Sequence, residues 1–233
     1  ARPWLRMKIA ASLDGFTALP NGQSQWITGE QARQDGHAWR ARACALLTGV
    51  GTVLADDPLL NVRGLAVQRQ PHVLIVDSQL RTPITAKLLA AQADFSRKIV
   101  IFHLENADGT KAAALQAAGA EAGLQLVALP ADASGSVDLP ALLAWLQAHL
   151  PVNELHIEAG ATLNGALLQA GLVDEVLYYQ APKLLGAGRP AAVLPVFSHV
   201  DEAPILRLLR SEALGADTRM QFLTASGQAF WQG

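Results

Sequence analysis

The distribution of apolar positions divides the chain into segments of two kinds. Runs of strand length with few polar interruptions occur at WLRMKIAA (4–11), CALLTG (44–49), HVLIVDS (72–78), KIVIFHL (98–104), LQLVALP (124–130), ELHIEAG (154–160) and EVLYYQAP (175–182). HVLIVDS and KIVIFHL are continuous rather than alternating, the pattern of strands covered on both faces. Between the runs, Thr28–Ala43, Thr110–Ala122, Leu139–Leu150 and Thr162–Leu172 read as helices, with Thr28 a candidate N-cap before Gly29 and Glu30, and Gly36 a weak point in the first of them. This alternation predicts βαβ units and a sheet that is at least partly parallel. The tail ILRLLRSEALGADTRMQFLTA (205–225) shows two β-like segments around Gly215-Ala216-Asp217, which predicts an antiparallel hairpin completing the sheet. The expected fold class is α/β, and residues 1–233 are expected to form a single domain, with PADASGSVD an ordinary surface loop.

Composition adds mainly exclusions. Of 233 residues, 51% are hydrophobic and 16% charged, which describes a chain able to bury a substantial core. The net charge is −2 and the 18 Lys and Arg are scattered, so no footprint for nucleic acid or an anionic membrane is present. No apolar stretch reaches membrane-spanning length, and the N-terminal segment lacks the apolar core of a signal peptide. Cys44 is the single cysteine, which excludes an intrachain disulfide or a cysteine-based zinc site and points to the reducing cytoplasm. The chain opens Ala1-Arg2-Pro3 without Met and reads as a cut boundary.

Four places combine residues that could carry chemistry. In IEAGATLNGALLQAG a strand ends at Glu158, Gly160 permits a tight turn, and Thr162 stands at a helix start, so N–H groups and the positive helix end face one spot suited to phosphate. The Lys-Ser/Thr of a triphosphatase loop is missing there, and an ordinary strand–helix junction has equal weight on spacing alone. In TGVGTVLADDP, Gly49 and Gly51 match only half of a dinucleotide fingerprint because Leu54 occupies the third glycine position, while Asp57 before Pro58 reads as a turn former. In VDSQLRTP, Ser78 and Arg81 could receive a 2′-phosphate, although Asp77 argues the other way and a polar turn is the commoner outcome. Lys8 needs a strand end or wet cleft, and Arg40 and Arg63 have the planar donors that bind phosphate esters but are equally ordinary surface residues. The six histidines show no metal-ligand spacing, so no metal is expected.

Taken in order, MKIAASLDG, GQSQWITG, WRARACALLTGVGTVLADDPLLNVR, VDSQLRTP, IEAGATLNGALLQAGLVDE and APKLLG resemble the reductase half of the bacterial bifunctional riboflavin-biosynthesis deaminase/reductase over nearly the whole chain. The resemblance implies a dihydrofolate-reductase-like fold, a mixed, mainly parallel sheet flanked by helices. It also implies NADPH as cofactor and a phosphoribosyl-pyrimidine substrate. The implied reaction reduces 5-amino-6-(5-phosphoribosylamino)uracil to the ribityl compound, and a cytoplasmic homodimer is the expected assembly.

No H-A-E and no P-C-x-x-C occurs, so the deaminase domain is expected to be missing from this chain and no deamination is expected. By the same resemblance Ala10, Trp26, Thr52, Asp56 and Ser78 match cofactor-contacting positions. Gly160, Ala161, Thr162, Leu163, Asn164, Gly165 and Ala166 match the pyrophosphate-binding segment. Ser24, Arg40, Leu60, Arg63 and Glu158 match substrate-contacting positions, and Lys8 a lysine near the ribosyl group, which makes Lys8 and Glu158 the expected catalytic pair. Ala10 and Ala161 depart from the glycine and proline of some relatives, and neither change removes a phosphate donor. Three rival readings stay open: a reductase of the undeaminated precursor, a pteridine reductase, and a catalytically silent NADP- or sugar-phosphate-binding module.

Overall fold

In the computed structural model, residues 2–90 and 97–232 are described. In chain order, β1 (Trp4–Ser12) and β2 (Phe16–Ala18) lead to α1 (Glu30–Arg42), β3 (Ala45–Gly49), α2 (Val50–Asp56), β4 (His72–Val76), β5 (Ile99–Leu104), α3 (Gly109–Ala118) and β6 (Leu124–Leu129). There follow α4 (Leu139–His149), β7 (Glu154–Ile157), α5 (Ala161–Gln169), β8 (Glu175–Ala181), β9 (Arg189–Pro190), β10 (Arg207–Leu214), β11 (Asp217–Leu223) and α6 (Ala225–Gln232). The residues group into two compact units, one built chiefly on Arg40–Leu155, the other on Trp4–Trp39 with residues 156–232.

In the first unit β3, β4, β5 and β6 pair in that order, all parallel, with Leu47 opposite Leu74 and Phe102 opposite Val127. The continuous apolar runs are explained by burial on both faces. One cluster joins Leu46, Ile75, Ile101 and Val53 with Leu88, Leu89 and Leu115. Elsewhere in the unit Phe102 meets Trp145 of α4 edge to face at 5.3 Å. Asp108 and Asp138 cap α3 and α4, their carboxylates accepting from Thr110 and Lys111 N–H and from Ala141 N–H. The expected helix at Thr110–Ala122 stops four residues early. Its terminal Gly119 packs so closely on Leu124 that a Cβ there would lie 2.6 Å from the leucine Cβ.

In the second unit β1 pairs parallel with β8, β8 antiparallel with β11, and β11 antiparallel with β10. The expected C-terminal hairpin is present, turning at Gly215 with φ of 67°. The α/β fold with a mainly parallel arrangement and an antiparallel C-terminal hairpin is therefore found. Four elements lie outside the sequence expectation: the short β2, α2 and β9, and the terminal α6. The first helix begins at Glu30 instead of capping at Thr28. At this start the Gly29 N–H donates to the Asp217 carboxylate, 2.6 Å away and 188 residues on.

Candidate functional site

The run VLADDPLLNVR ends α2 and continues as irregular backbone. Asp57 adopts the left-handed conformation, φ 40°, and its N–H bonds back to Val53, so it terminates the helix, while its carboxylate accepts from Lys87 N–H at 2.9 Å. Asp57 and Pro58 thus shape the turn, as expected. Thr52 and Asp56, four apart on α2, share a face; Asp56 is exposed and Thr52 half-buried. Beyond the turn, Leu60, Asn61 and Val62 are buried although no strand pairs with them. Their backbone polar groups are met by side chains instead. Arg97 donates to the Leu59 and Leu60 carbonyls at 2.6 and 2.8 Å, and Arg40 donates to the Asn61 carbonyl at 2.6 Å. Gln70 both accepts from Val62 N–H, at 2.7 Å, and donates to its carbonyl. The next residue, Arg63, is exposed. Burial, and then the Arg40 charge, pull the Arg97 guanidinium down to about 10.

After β4, Asp77 is fully buried, its carboxylate accepting from Arg81 N–H, Thr82 N–H and the Thr82 hydroxyl. It is occupied in shaping its own turn. Ser78 is half-buried and its hydroxyl accepts from Val137 N–H at 3.2 Å.

In the other unit Lys8, on β1, is half-buried with its Nζ 5.7 Å from the centre of the Tyr179 ring. Gly36 of α1 faces it, since a Cβ at Gly36 would sit 4.0 Å from Lys8 Cε. The weak point in the helix therefore coincides with the place where α1 passes over the lysine. Tyr179 donates its phenolic O–H to Asp35 at 2.6 Å, and burial, then this bond, push its ionisation above the ordinary tyrosine range, with the Glu158 charge a smaller contributor. Glu158 follows β7 and stands 3.5 Å from Nε2 of the fully buried His156. Ala10 packs against the cluster of Ala32, Leu177 and Tyr179.

Ser24 opens a turn in which Ile27 N–H donates to its carbonyl. Trp26 is 58% exposed, with the Arg33 guanidinium 4.5 Å above its ring, and Lys183 donates to its carbonyl. The loop carrying Lys183 is in turn held by Asp14, whose carboxylate accepts from Leu185 and Gly186 N–H. The Ser12 hydroxyl, helped by these amides, brings the Asp14 carboxyl down to about 2.

α5 starts at the phosphate-suited glycine. Gly160 offers no side-chain cap and has open space where a Cβ would project, and Ala161, Thr162 and Leu163 form the first turn. An anion would meet uncapped N–H groups and the positive helix end there, so this segment fits a pyrophosphate. Asn164 and Gly165 are buried and Ala166 half-buried. The Asn164 amide donates to the Ala159 and Ala191 carbonyls, and a Cβ on Gly165 would lie 1.9 Å from the Val193 carbonyl oxygen. These two residues hold the 191–193 segment against the helix.

Sequence reasoning located the turn, the helix start and the charged candidates. It missed Arg97, Tyr179, Asp35 and Arg219, which bond to residues 37 to 184 positions away and leave no local spacing signal, and also Gln70 and His156, whose partners Val62 and Glu158 are near in the chain but form no motif. Among the described residues, no group of three or more His, Cys, Asp or Glu could hold a metal, and no helix is long and apolar enough to cross a membrane.

The family described as RibD C-terminal domain matches residues 3–220. The riboflavin biosynthesis protein RibD of Escherichia coli is 37% identical over 228 residues, covering 96% of this chain and 60% of the relative. The chain thus spans about 60% of the length of that relative. The solved structure of Acinetobacter baumannii RibD superimposes with a TM-score of 0.79 at 34% identity, covering 96% of this chain and 58% of that one. The riboflavin biosynthesis reductase Rib7 of Saccharomyces cerevisiae shares the fold with a TM-score of 0.72 at 18% identity, covering 96% of this chain and 90% of that one.

Proposed function

Because the chain belongs to the RibD C-terminal domain family, we propose that it catalyses NADPH-dependent reduction of 5-amino-6-(5-phosphoribosylamino)uracil to 5-amino-6-(5-phosphoribitylamino)uracil, without deaminating its substrate. The observation carrying this reading is the match to that family from residue 3 to residue 220, over a chain in which Arg40 and Arg63 offer the cations a phosphate ester pairs with. A single cysteine accords with action in the cytoplasm.

NADPH, when bound, supplies a hydride to C1 of the opened ribosyl group. The first turn of α5, from Gly160 to Leu163, would hold its pyrophosphate, with Thr52, Asp56, Ser78, Trp26 and Ala10 as further contacts. Arg63 and Arg40 anchor the substrate phosphate through charge-assisted bonds. Ser24 and Leu60 border the substrate, and Glu158 accepts hydrogen bonds from its hydroxyl or pyrimidine donors. Lys8 delivers a proton to the nitrogen on C1 as charge develops there. Tyr179 is a poorer donor for that step, since its proton is committed to Asp35.

The same reading includes a homodimer. It is supported by β10, which pairs on one side with β11 and carries the exposed Leu208 and Leu209. Centring a second copy on Ser211 would set Arg210 of each copy opposite Glu212 of the other.

The test is NADPH consumption by the purified chain, offered freshly generated deaminated substrate and, separately, its aminated precursor. Turnover of the deaminated compound is expected. Turnover of the aminated compound alone would transfer the assignment to a reductase acting before deamination. Saturable NADPH binding without turnover of either would leave a silent binding module.

A further inference from the structure

We propose that Arg97 is a positioning residue for phosphate-ester binding: its guanidinium fixes the Leu59–Leu60 backbone and thereby sets where Arg63 presents its charge. The inference rests on the reductase reading for the identity of the substrate, but its geometry belongs to the segment itself.

Residues 57–63 have no strand or helix to hold them, yet three of the five positions assigned to substrate, Arg40, Leu60 and Arg63, belong to or grip this segment. Leu60 is buried and has φ of 49°, a left-handed conformation that a leucine holds only when its surroundings impose it. Arg97 does the imposing. Its two terminal nitrogens reach consecutive carbonyls, Leu59 at 2.6 Å and Leu60 at 2.8 Å, and the residue is 8% exposed.

Arg97 lies two residues before β5, so the planar fork is anchored by a strand of the parallel sheet and transmits the position of that strand to the loop. Arg40 and Gln70 secure the next two residues, Asn61 and Val62. Four consecutive carbonyls, 59 to 62, are thus fixed immediately before Arg63. The Arg40 guanidinium is also near enough to disfavour the charge on Arg97. A dianionic phosphate ester at Arg63 and Arg40 would relieve that repulsion, so the arrangement favours an anion at this end of the segment.

The experiment compares wild type, Arg97→Met and Arg97→Lys in the full chain. Calorimetric affinity for ribose 5-phosphate is the primary readout, alongside NADPH affinity, melting temperature, and KM and kcat for the deaminated substrate. Arg97→Met is expected to weaken ribose 5-phosphate binding and raise KM by about tenfold or more, the size of one lost charge-assisted interaction. kcat should stay within about threefold and NADPH affinity should be unchanged. Arg97→Lys, which restores one donor to these carbonyls, should recover part of the loss; if Arg97→Met does not fold, a weakened ribose 5-phosphate affinity in folded Arg97→Lys carries the same support.

Unchanged ribose 5-phosphate affinity in a folded variant overturns the proposal, and so does a wild type that does not bind the probe. A wild type that binds ribose 5-phosphate but turns over neither substrate removes the reductase reading only. The positioning role then still stands on the affinity difference between wild type and variant.

Discussion

A Cβ on Gly165 would lie 1.9 Å from the Val193 carbonyl oxygen, and Val193 N–H donates to the Ala161 carbonyl at the first turn of the same helix. The glycine therefore permits a backbone approach that no other residue allows. Gly165→Ala should displace the 191–193 segment and cost about 1–3 kcal/mol, the range for overpacking, visible as a lower melting temperature. NADPH affinity should fall with it, because the displaced segment is bonded to the helix end assigned to pyrophosphate. Arg63 presents a different case, an exposed residue. Arg63→Ala should weaken substrate binding by about 1.5–3 kcal/mol, read as a higher KM; an unchanged KM would refute its assignment.

His72 gives a pH-dependent expectation. Its Nδ1 accepts from Lys98 N–H at 2.9 Å, and burial, then the Lys98 and Arg69 charges, hold the imidazole below its ordinary 6.5. A folded-state value below the unfolded one means that the unfolded chain binds the proton more readily. The associated stability is therefore present above about pH 6.5 and is lost as the pH falls through the lowered folded value. His72→Asn keeps an acceptor without the titration. It should show a shallower decline of melting temperature than wild type between about pH 7 and about pH 5, and equal slopes would rule His72 out as a source of the acid sensitivity.

Among the elements, α1 is the least expected to adhere to a sheet, because its sequence EQARQDGHAWRAR buries only Ala32 outright. Charge holds it. Asp35 accepts two bonds from Arg219, at 2.7 and 2.9 Å, and one from Tyr179, while Arg219 also reaches Glu212 at 2.6 Å. Trp39 of α1 lies beneath the Arg6 guanidinium at 4.4 Å. Burial alone would lower the Arg219 ionisation, yet the Asp35 bonds raise it, so the guanidinium keeps its charge. Asp35→Ala would leave the buried Arg219 short of a carboxylate and the phenol without its acceptor. A loss of about 3–5 kcal/mol in a chemical denaturation curve is expected. Tyr179→Phe removes one hydrogen bond and should cost about 1 kcal/mol.

This helix also marks the limit of what the sequence discloses. β3 to β6 and the C-terminal hairpin were legible because both-face burial and turn residues leave local patterns. α2 was not, because seven residues after a glycine pair present too little periodicity, and α6 was not, because it is short and follows directly on a strand. Within the candidate site, the charged positions are proposed from family resemblance. The side chains Arg97, Asp35 and Arg219 were not legible, since each bonds to residues remote in the chain.

For the molecule as a whole, the proposed homodimer turns on the outer strand β10. Leu208 and Leu209 are 52% and 43% exposed, and one edge of the strand lacks a partner strand among the described residues. An edge of this kind is a template for another strand unless it is blunted. The irregularity between Leu208 and Arg210 limits regular pairing to the stretch from Arg210 onward, where the Arg-Ser-Glu sequence is complementary to its own antiparallel copy.

Leu209→Lys would place an ammonium at the start of that regular stretch in both copies at once, doubling the penalty by symmetry. Light scattering over a hundredfold dilution should give twice the chain mass for wild type and the single mass for Leu209→Lys, with NADPH affinity retained because the residue is not assigned to the cofactor. A wild type of single mass at every concentration would eliminate the dimer. A variant that stays dimeric would keep the dimer but move its interface away from β10.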